Sequence, residues 1–214
     1  MILTDFPYIQ VALDIIDLKF LEKVLSFLPN SNKLLIEAGT PLIKKFGSGV
    51  INTIREYFPD SYVIADMKTL DVGEIEVKIC ADDGANAMAV SGLAPLETIV
   101  SSIKAGKERN IDIILDLMNV AEPLKLLSEL PELPKIVLFH RGIDQEGNME
   151  HPWNLIQQIR KDFPHVLVAV AGGLNLESSV KALSKGVQII VIGRAITASE
   201  DITRSCNDFL KLLK

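Results

Sequence analysis

The sequence alternates short apolar runs with longer stretches of helical spacing, and this alternation limits the folds open to the chain. The short runs are rich in Val, Ile and Leu and lack the polar alternation of a half-exposed strand. Such continuous apolar runs are typical of parallel strands that are covered on both faces. We therefore predict eight buried strands, at residues 9–13, 33–36, 62–65, 87–90, 111–115, 135–139, 166–170 and 189–192.

Between these runs, apolar residues recur at the three- and four-residue spacing of helices that bury one face. Pro41 and Pro95 stand where a first helical turn tolerates proline, because the missing N–H would have no partner there. Gly84 and Gly186 fall near predicted helix ends, where a left-handed residue is common. The predicted helices cover residues 18–28, 41–58, 73–83, 95–109, 121–130, 154–163, 176–184 and 202–213.

Eight strand–helix units in 214 residues fit a single (β/α)8 TIM barrel that occupies residues 1–214. The alternative is an open, doubly wound sheet, which also alternates strands and helices. Such a sheet usually carries a glycine fingerprint after its first strand, whereas this chain continues there with Leu13 and Asp14. The pattern therefore favours the barrel.

The charge balance and the cysteine count narrow the class of protein. Lys and Arg total 22 against 28 Asp and Glu, and the resulting charge of −6 disfavours a general nucleic-acid binder. Cys80 and Cys206 are too few for a disulfide framework and fit a reducing compartment. The chain has neither an apolar run of membrane-spanning length nor the pattern of a signal peptide. We expect a soluble cytoplasmic enzyme or small-molecule binder with no membrane or nucleic-acid partner.

Four acids and a histidine follow the predicted strands, where the chemistry of a barrel collects. Asp14, Glu37 and Asp66 follow the first three strands, and Asp116 and His140 follow the fifth and sixth. Each acid alone would more often be a helix cap, but a barrel brings them all to one mouth. Carboxylates held this close repel, and a divalent cation relieves that repulsion. Glu37 and Asp66 offer hard oxygen ligands without a nearby Cys or paired His, which favours Mg²⁺ over Zn²⁺.

Lys68 completes the most informative segment of the chain. Side chains two apart on extended backbone share a side, so Asp66 and Lys68 are both expected to face the mouth. A lysine there can stabilise an oxygen that becomes anionic during a reaction. The alternative is an ordinary surface salt bridge.

Glycines and an arginine follow the last two predicted strands, where barrels commonly bind phosphate. Glycine leaves backbone N–H groups accessible to an anion, and arginine adds a charged donor. The alternative is that the glycines only form tight turns. The predicted phosphate site consists of Gly172, Gly173, Gly193 and Arg194.

Six segments lie at the strand ends: VALD at 11–14, IEAGTP at 36–41, ADMKTLDVG at 65–73, HRGID at 140–144, AGG at 171–173 and IGR at 192–194. Together they resemble the orotidine 5'-monophosphate decarboxylase superfamily. The resemblance runs from about residue 10 to residue 196, and its strongest element is the D-x-K-x-x-D motif at residues 66–71. Within the superfamily the chain is most similar to the 3-hexulose-6-phosphate synthases, with the 3-keto-L-gulonate-6-phosphate decarboxylases as close relatives. The decarboxylases usually carry a basic residue where this chain has Ile143.

This resemblance implies a Mg²⁺-dependent aldol lyase that condenses formaldehyde with D-ribulose 5-phosphate to D-arabino-3-hexulose 6-phosphate, or runs the reverse cleavage. It implies that Glu37 and Asp66 hold Mg²⁺ and that Lys68 stabilises a cis-enediolate. Asp14 would orient substrate hydroxyls or Lys68, and His140 would transfer protons.

The resemblance also implies a homodimer, in which Asp71 reaches the neighbouring subunit's site, and a polar contact from Asp116. Three alternatives remain open: a 3-keto-L-gulonate-6-phosphate decarboxylase, a sugar-phosphate epimerase or isomerase, and a binder of phosphorylated ligands without catalytic activity.

Overall fold

Eight parallel strands close into a barrel in the computed structural model, which describes residues 3–142, 144 and 151–213. Each strand pairs with its neighbour in the chain, and the last pairs with the first. The predicted (β/α)8 barrel is confirmed, and the open sheet is excluded. The strands are β1 Tyr8–Leu13, β2 Leu34–Ala38, β3 Tyr62–Thr69, β4 Ala87–Ser91, β5 Asp112–Asp116, β6 Ile136–His140, β7 Leu167–Ala171 and β8 Ile189–Ile192.

Helices surround the barrel and cover its outer face. Within the described ranges, none of them is both long enough and apolar enough to cross a membrane. The helices are α1 Leu18–Phe27, α2 Thr40–Phe46, α3 Val50–Tyr57, α4 Gly73–Asp82, α5 Leu96–Arg109, α6 Pro123–Glu129, α7 Trp153–Asp162, α8 Leu176–Ser184, α9 Arg194–Thr197 and α10 Ile202–Leu210, followed by a 3-10 turn at Lys211–Leu213.

The prediction of one continuous helix over residues 41–58 was wrong. The chain forms α2 and α3 instead, because Gly47 adopts a left-handed φ of 78° and ends α2. A left-handed residue cannot continue a right-handed helix, and glycine enters this conformation without steric strain. The short helix α9 was not predicted, since four residues are too few to show a helical period.

The strands are apolar along their whole length because they bury both faces. Alternate side chains of β1 point to opposite sides: Ile9, Val11 and Leu13 pack against the helices, whereas Tyr8 and Ala12 fill the barrel interior. This two-sided burial leaves few positions for polar side chains except at the strand ends. The chemistry of the chain is thereby concentrated at one mouth of the barrel.

Strand β3 is longer and less regular than its sequence predicts. The predicted strand stops at residue 65, but β3 continues to Thr69 with a shift in its pairing to β4 between Ala65 and Thr69. Lys68 lies inside this irregular stretch and has a φ of 48°, which non-glycine residues rarely adopt. Regular alternation is therefore not what turns Lys68 toward the mouth. Lys68 reaches the mouth through the irregular backbone between Ala65 and Thr69.

Candidate active site

A cavity of about 630 Å³ opens at the carboxyl ends of the strands. Five of the predicted residues, on or directly after β1, β2, β3 and β6, line it together with the glycine turns after β7 and β8. The predicted residues in its wall are Asp14, Glu37, Asp66, Lys68, His140, Gly172, Gly173, Gly193 and Arg194.

Lys68 connects the acids with the histidine. Its Nζ atom lies 3.1 Å from Asp66 Oδ2 and 2.5 Å from Asp116 Oδ2. The same Nζ is 3.2 Å from His140 Nδ1, and that ring nitrogen is 3.0 Å from Asp116 Oδ2. The two carboxylates therefore hold the Lys68 side chain in one conformation. A charge that is already in position needs little reorganisation during a reaction.

Asp116 lies beneath the cavity and not in its wall. It is only 2% exposed, and its second oxygen, Oδ1, accepts a hydrogen bond from the Met118 N–H. Burial alone would raise the pKa of Asp116, but hydrogen bonds and charge from His140 and Lys68 hold it below its ordinary value. Its position in this chain is therefore that of an ionised support under Lys68 and His140.

The positive charge on Lys68 is stabilised by the carboxylates around it. Burial would lower the pKa of this ammonium group, but the nearby Asp66 and Asp116 carboxylates raise it above the ordinary value for lysine. Lys68 therefore remains a cation and presents positive charge to whatever occupies the cavity.

The pKa values of the Glu37 and Asp14 carboxyl groups are both raised above their ordinary values. Glu37 is buried on β2, and burial together with repulsion from Asp66 and Asp14 raises its pKa to about 8. Burial and the charge of Asp66 also raise the pKa of Asp14. Removing water and adding like charges both disfavour ionisation, so this side of the cavity favours a bound cation.

One hydroxyl group and one amide group donate hydrogen bonds to the acids, and neither residue was predicted from the sequence. The Thr40 hydroxyl donates to Asp66 Oδ2 at 2.7 Å, and Gln10 Nε2 donates to Glu37 Oε2 at 2.5 Å. A signal existed for Gln10, because it is a polar residue inside an otherwise apolar strand run. Thr40 directly follows β2 and could have been read as a further strand-end residue.

The donor set fits a magnesium ion that is completed by other oxygens. Among the described residues, no three His, Cys, Asp or Glu side chains form a full ligand group. Mg²⁺ is usually bound through one or two carboxylates together with water and substrate oxygens. Glu37 and Asp66 face the same cavity as two such carboxylates, and the raised pKa of Glu37 marks the uncompensated negative charge between them.

The turn after β7 can be built only with glycine. Gly172 has a φ of 105°, and a Cβ added there would lie 2.1 Å from the Arg141 carbonyl oxygen. Arg141 in turn donates from Nη2 to the Gly172 carbonyl oxygen at 2.9 Å, which fastens the turn to the end of β6. Gly173 follows with a φ of 63°. The backbone is therefore exposed to the cavity without side chains in front of it.

Asp71 is placed outside the cavity of its own chain. It is exposed, and its Oδ1 accepts a hydrogen bond from the Val72 N–H at 2.8 Å. Around it lie exposed apolar side chains, among them Leu70, Val72 and Ile75, each more than half accessible. Ile143, on which the choice between synthases and decarboxylases depended, lies outside the described residues.

A (β/α)8 barrel with a carboxylate and lysine cluster facing glycine turns has the arrangement of a barrel enzyme that acts on an anionic substrate. A model of the family described as "Orotidine 5'-phosphate decarboxylase / HUMPS family" matches residues 7–209. The chain belongs to this family. The resemblance predicted from the strand-end motifs is thereby confirmed.

Known proteins similar to the chain include named enzymes. A "Bifunctional enzyme Fae/Hps" of Methanothrix thermoacetophila is 46% identical over 212 residues, which are 99% of this chain and 54% of that protein. The chain spans about half the length of the curated relatives it matches. A crystal structure of 3-hexulose-6-phosphate synthase is 29% identical with a TM-score of 0.82, over 97% of this chain and 100% of that one.

A second crystal structure, of 3-hexulose-6-phosphate synthase from Salmonella typhimurium, is similar over nearly the whole chain. It is 28% identical with a TM-score of 0.83, and the match covers 96% of this chain and 98% of that one.

Proposed function

We propose that this chain is a 3-hexulose-6-phosphate synthase, which condenses formaldehyde with D-ribulose 5-phosphate to D-arabino-3-hexulose 6-phosphate and also catalyses the reverse cleavage. The observation that carries the proposal is Lys68, which pairs with Asp66 and Asp116 and lines the same cavity as the glycine turns. Full-length similarity to structures of this synthase supports the choice of reaction.

The substrate phosphate binds at the glycine turns. Backbone N–H groups at Gly172, Gly173 and Gly193 and the guanidinium group of Arg194 surround the anion. The phosphate is carried on C5 of the ketose and the reacting carbon is C1, so the binding energy of the phosphate can orient the reacting end of the sugar without taking part in the bond changes.

The reacting end lies beside Lys68 and His140. Removal of a proton from C1 of the ketose leaves a cis-enediolate, whose negative oxygens are stabilised by the fixed ammonium group of Lys68. His140 Nδ1 is held by Asp116, so the opposite ring nitrogen is the one available to transfer protons. C1 then attacks formaldehyde, and the new alkoxide takes up a proton. Asp14 orients the substrate hydroxyls.

Glu37 and Asp66 are the residues that would hold Mg²⁺. When bound, the ion supplies positive charge beside the oxygens of the enediolate and lowers its free energy. Thr40 donates a hydrogen bond to Asp66 and Gln10 donates one to Glu37, and Lys68 forms an ion pair with the same Asp66 carboxylate.

We further propose a cytoplasmic homodimer, in which Asp71 completes the neighbouring site. The apolar side chains around Asp71 form an exposed surface on the β3–α4 connection and on α4, as expected for a face that another copy covers. The two cysteines are buried free thiols, which suits a reducing compartment.

The test is a paired assay with purified protein. Formaldehyde consumption with D-ribulose 5-phosphate is measured with Mg²⁺ and after chelation, and CO₂ release is measured from 3-keto-L-gulonate 6-phosphate. We expect Mg²⁺-dependent condensation that is faster than CO₂ release. Faster decarboxylation would assign the chain to the other branch of the family, and absence of turnover with either substrate would contradict the proposal.

A further inference from the structure

Gln10 is a polar side chain at a position where the barrel interior is otherwise apolar. It is 3% exposed on β1, between the inward-facing Tyr8 and Ala12, and its register partners are Leu35 and Val191. Burying an amide among apolar groups is unfavourable unless the amide finds a hydrogen-bond partner. An apolar residue would fill this position without that requirement, so the amide calls for another explanation.

The partner of this amide is a carboxylate of the candidate metal site. Gln10 Nε2 donates to Glu37 Oε2 at 2.5 Å, and Glu37 also forms part of the cavity wall. A carboxylate that binds a cation is ionised and only accepts hydrogen bonds, so Gln10 has to present the N–H side of its amide to Glu37. Because Gln10 is packed inside the barrel, the position of its donor is set by the strands rather than by solvent.

We propose that Gln10 is a positioning residue that holds Glu37 through Oε2 in the orientation needed to bind a divalent cation. The inference rests on the proposed function, since it assumes that Glu37 is a ligand. A donor of this kind limits the rotation of the carboxylate and compensates its charge without competing for the cation. Loss of comparable partners of metal ligands typically lowers metal affinity by about 10–100-fold.

The experiment uses Mn²⁺ as the probe and measures its dissociation constant from the electron paramagnetic resonance signal of the free ion. Gln10→Met keeps the length of the side chain and removes the hydrogen-bond donor. Gln10→Asn keeps the amide but shortens the side chain, so that the donor no longer reaches Glu37. Leu167→Met is the matched control, because it changes an interior side chain on β7 without touching Glu37. Thermal unfolding of each protein shows that it is folded.

We expect the Mn²⁺ dissociation constant to rise about tenfold or more in both Gln10 variants and to stay within twofold in Leu167→Met. A folded Gln10 variant with unchanged affinity would overturn the inference and leave the proposed function standing. An equally large rise in the Mn²⁺ dissociation constant of Leu167→Met would also overturn it, because the weaker binding would then result from altered packing and not from the lost hydrogen-bond donor. If the unaltered protein binds no Mn²⁺, the proposed metal site and the inference fail together.

Discussion

Lys68 is held between two carboxylates, one of them almost completely buried, so its charge matters for folding as well as for catalysis. Lys68→Met removes the cation that stabilises the enediolate, and we expect turnover to fall by about 100-fold or more. The variant also removes one of the two basic partners of the buried Asp116 carboxylate, which keeps its contacts with His140 and the Met118 N–H, and this loss should lower the free energy of unfolding by about 3 kcal/mol.

Steady-state kinetics and urea unfolding measure the two effects. Lys161→Met, which removes an exposed lysine from α7, is the control and should change neither value appreciably. Full turnover by folded Lys68→Met would mean that the ammonium group does not act on the reacting atoms.

Glu37 should make the metal-free protein less stable as the pH rises. Its pKa is about 8 in the folded protein against an ordinary value of 4.5, so the folded state binds the proton more tightly than the unfolded state. The contribution of this group to stability is complete below about pH 4.5 and is lost as the pH rises through about 8.

Urea unfolding with a chelator at about pH 5.5 and about pH 8.5 measures this loss, and Glu37→Gln should reduce it. Glu22→Gln, which changes an exposed carboxyl group on α1, should leave the loss as it is. The same pH dependence in Glu37→Gln and in the unaltered protein would show that Glu37 is not the responsible group.

Much of the site could be predicted from the sequence, because the ends of the strands converge at one mouth of a barrel. Asp14, Glu37, Asp66 and His140 all border the cavity for that reason. The supporting role of Asp116 could not be read in this way, because it depends on which atoms meet below the cavity wall and not on spacing. Hydrogen bonds such as the one from Gln10 likewise join strands whose relative height is fixed only in the folded barrel.

The turn after β7 is the element most sensitive to a single methyl group. Gly172→Ala would force a non-glycine residue to a φ of 105° and place Cβ against the Arg141 carbonyl oxygen. We expect the free energy of unfolding to fall by about 2 kcal/mol or more and KM for the sugar phosphate to rise. Urea unfolding and steady-state kinetics measure both.

Gly49→Ala is the matched control for this turn. Gly49 has a φ of −56°, and a Cβ added there meets no atom within 4 Å. The free energy of unfolding of the Gly49→Ala protein should therefore differ from that of the unaltered protein by less than about 1 kcal/mol. If Gly172→Ala were as harmless as Gly49→Ala, the turn would not be constrained as the structure indicates.

Helix and strand bounds show where periodicity stops being informative. The apolar spacing over residues 41–58 continues through Gly47, so a pattern of hydrophobic positions alone predicted one helix where a left-handed residue separates α2 from α3. In β3 the segment after residue 65 changes from apolar to charged, which ended the predicted strand early although the backbone continues to Thr69. Both errors arise where the backbone conformation departs from the regular geometry that periodicity assumes.

At the scale of the whole molecule, the fold was predictable because both faces of every strand are buried, and this leaves continuous apolar runs in the sequence. A surface contact between two copies of the chain produces a weaker pattern in the sequence than the buried strands do. The exposed apolar residues near Asp71 become visible as one face only in the folded chain, where α4 packs beside α5.

The proposed dimer can be tested on that face. Ile75→Glu places a charge among apolar side chains of α4, and we expect it to yield a monomer in light scattering with greatly reduced turnover, since Asp71 would no longer reach a neighbouring site. Val180→Glu makes the same change at an exposed position on α8 and should remain dimeric and active. A monomeric, fully active protein before any substitution would contradict the dimer.

In the proposed reaction, one fixed cluster formed by Glu37, Asp66 and Lys68 stabilises the enediolate of a sugar phosphate. Nuclear magnetic resonance of D-ribulose 5-phosphate in D₂O, with protein but without formaldehyde, tests it most directly. We expect deuterium to enter C1, the exchange to require Mg²⁺, and Lys68→Met to slow the exchange by about 100-fold or more. Exchange at C3 instead, or no exchange at all under conditions where the protein is folded, would contradict it.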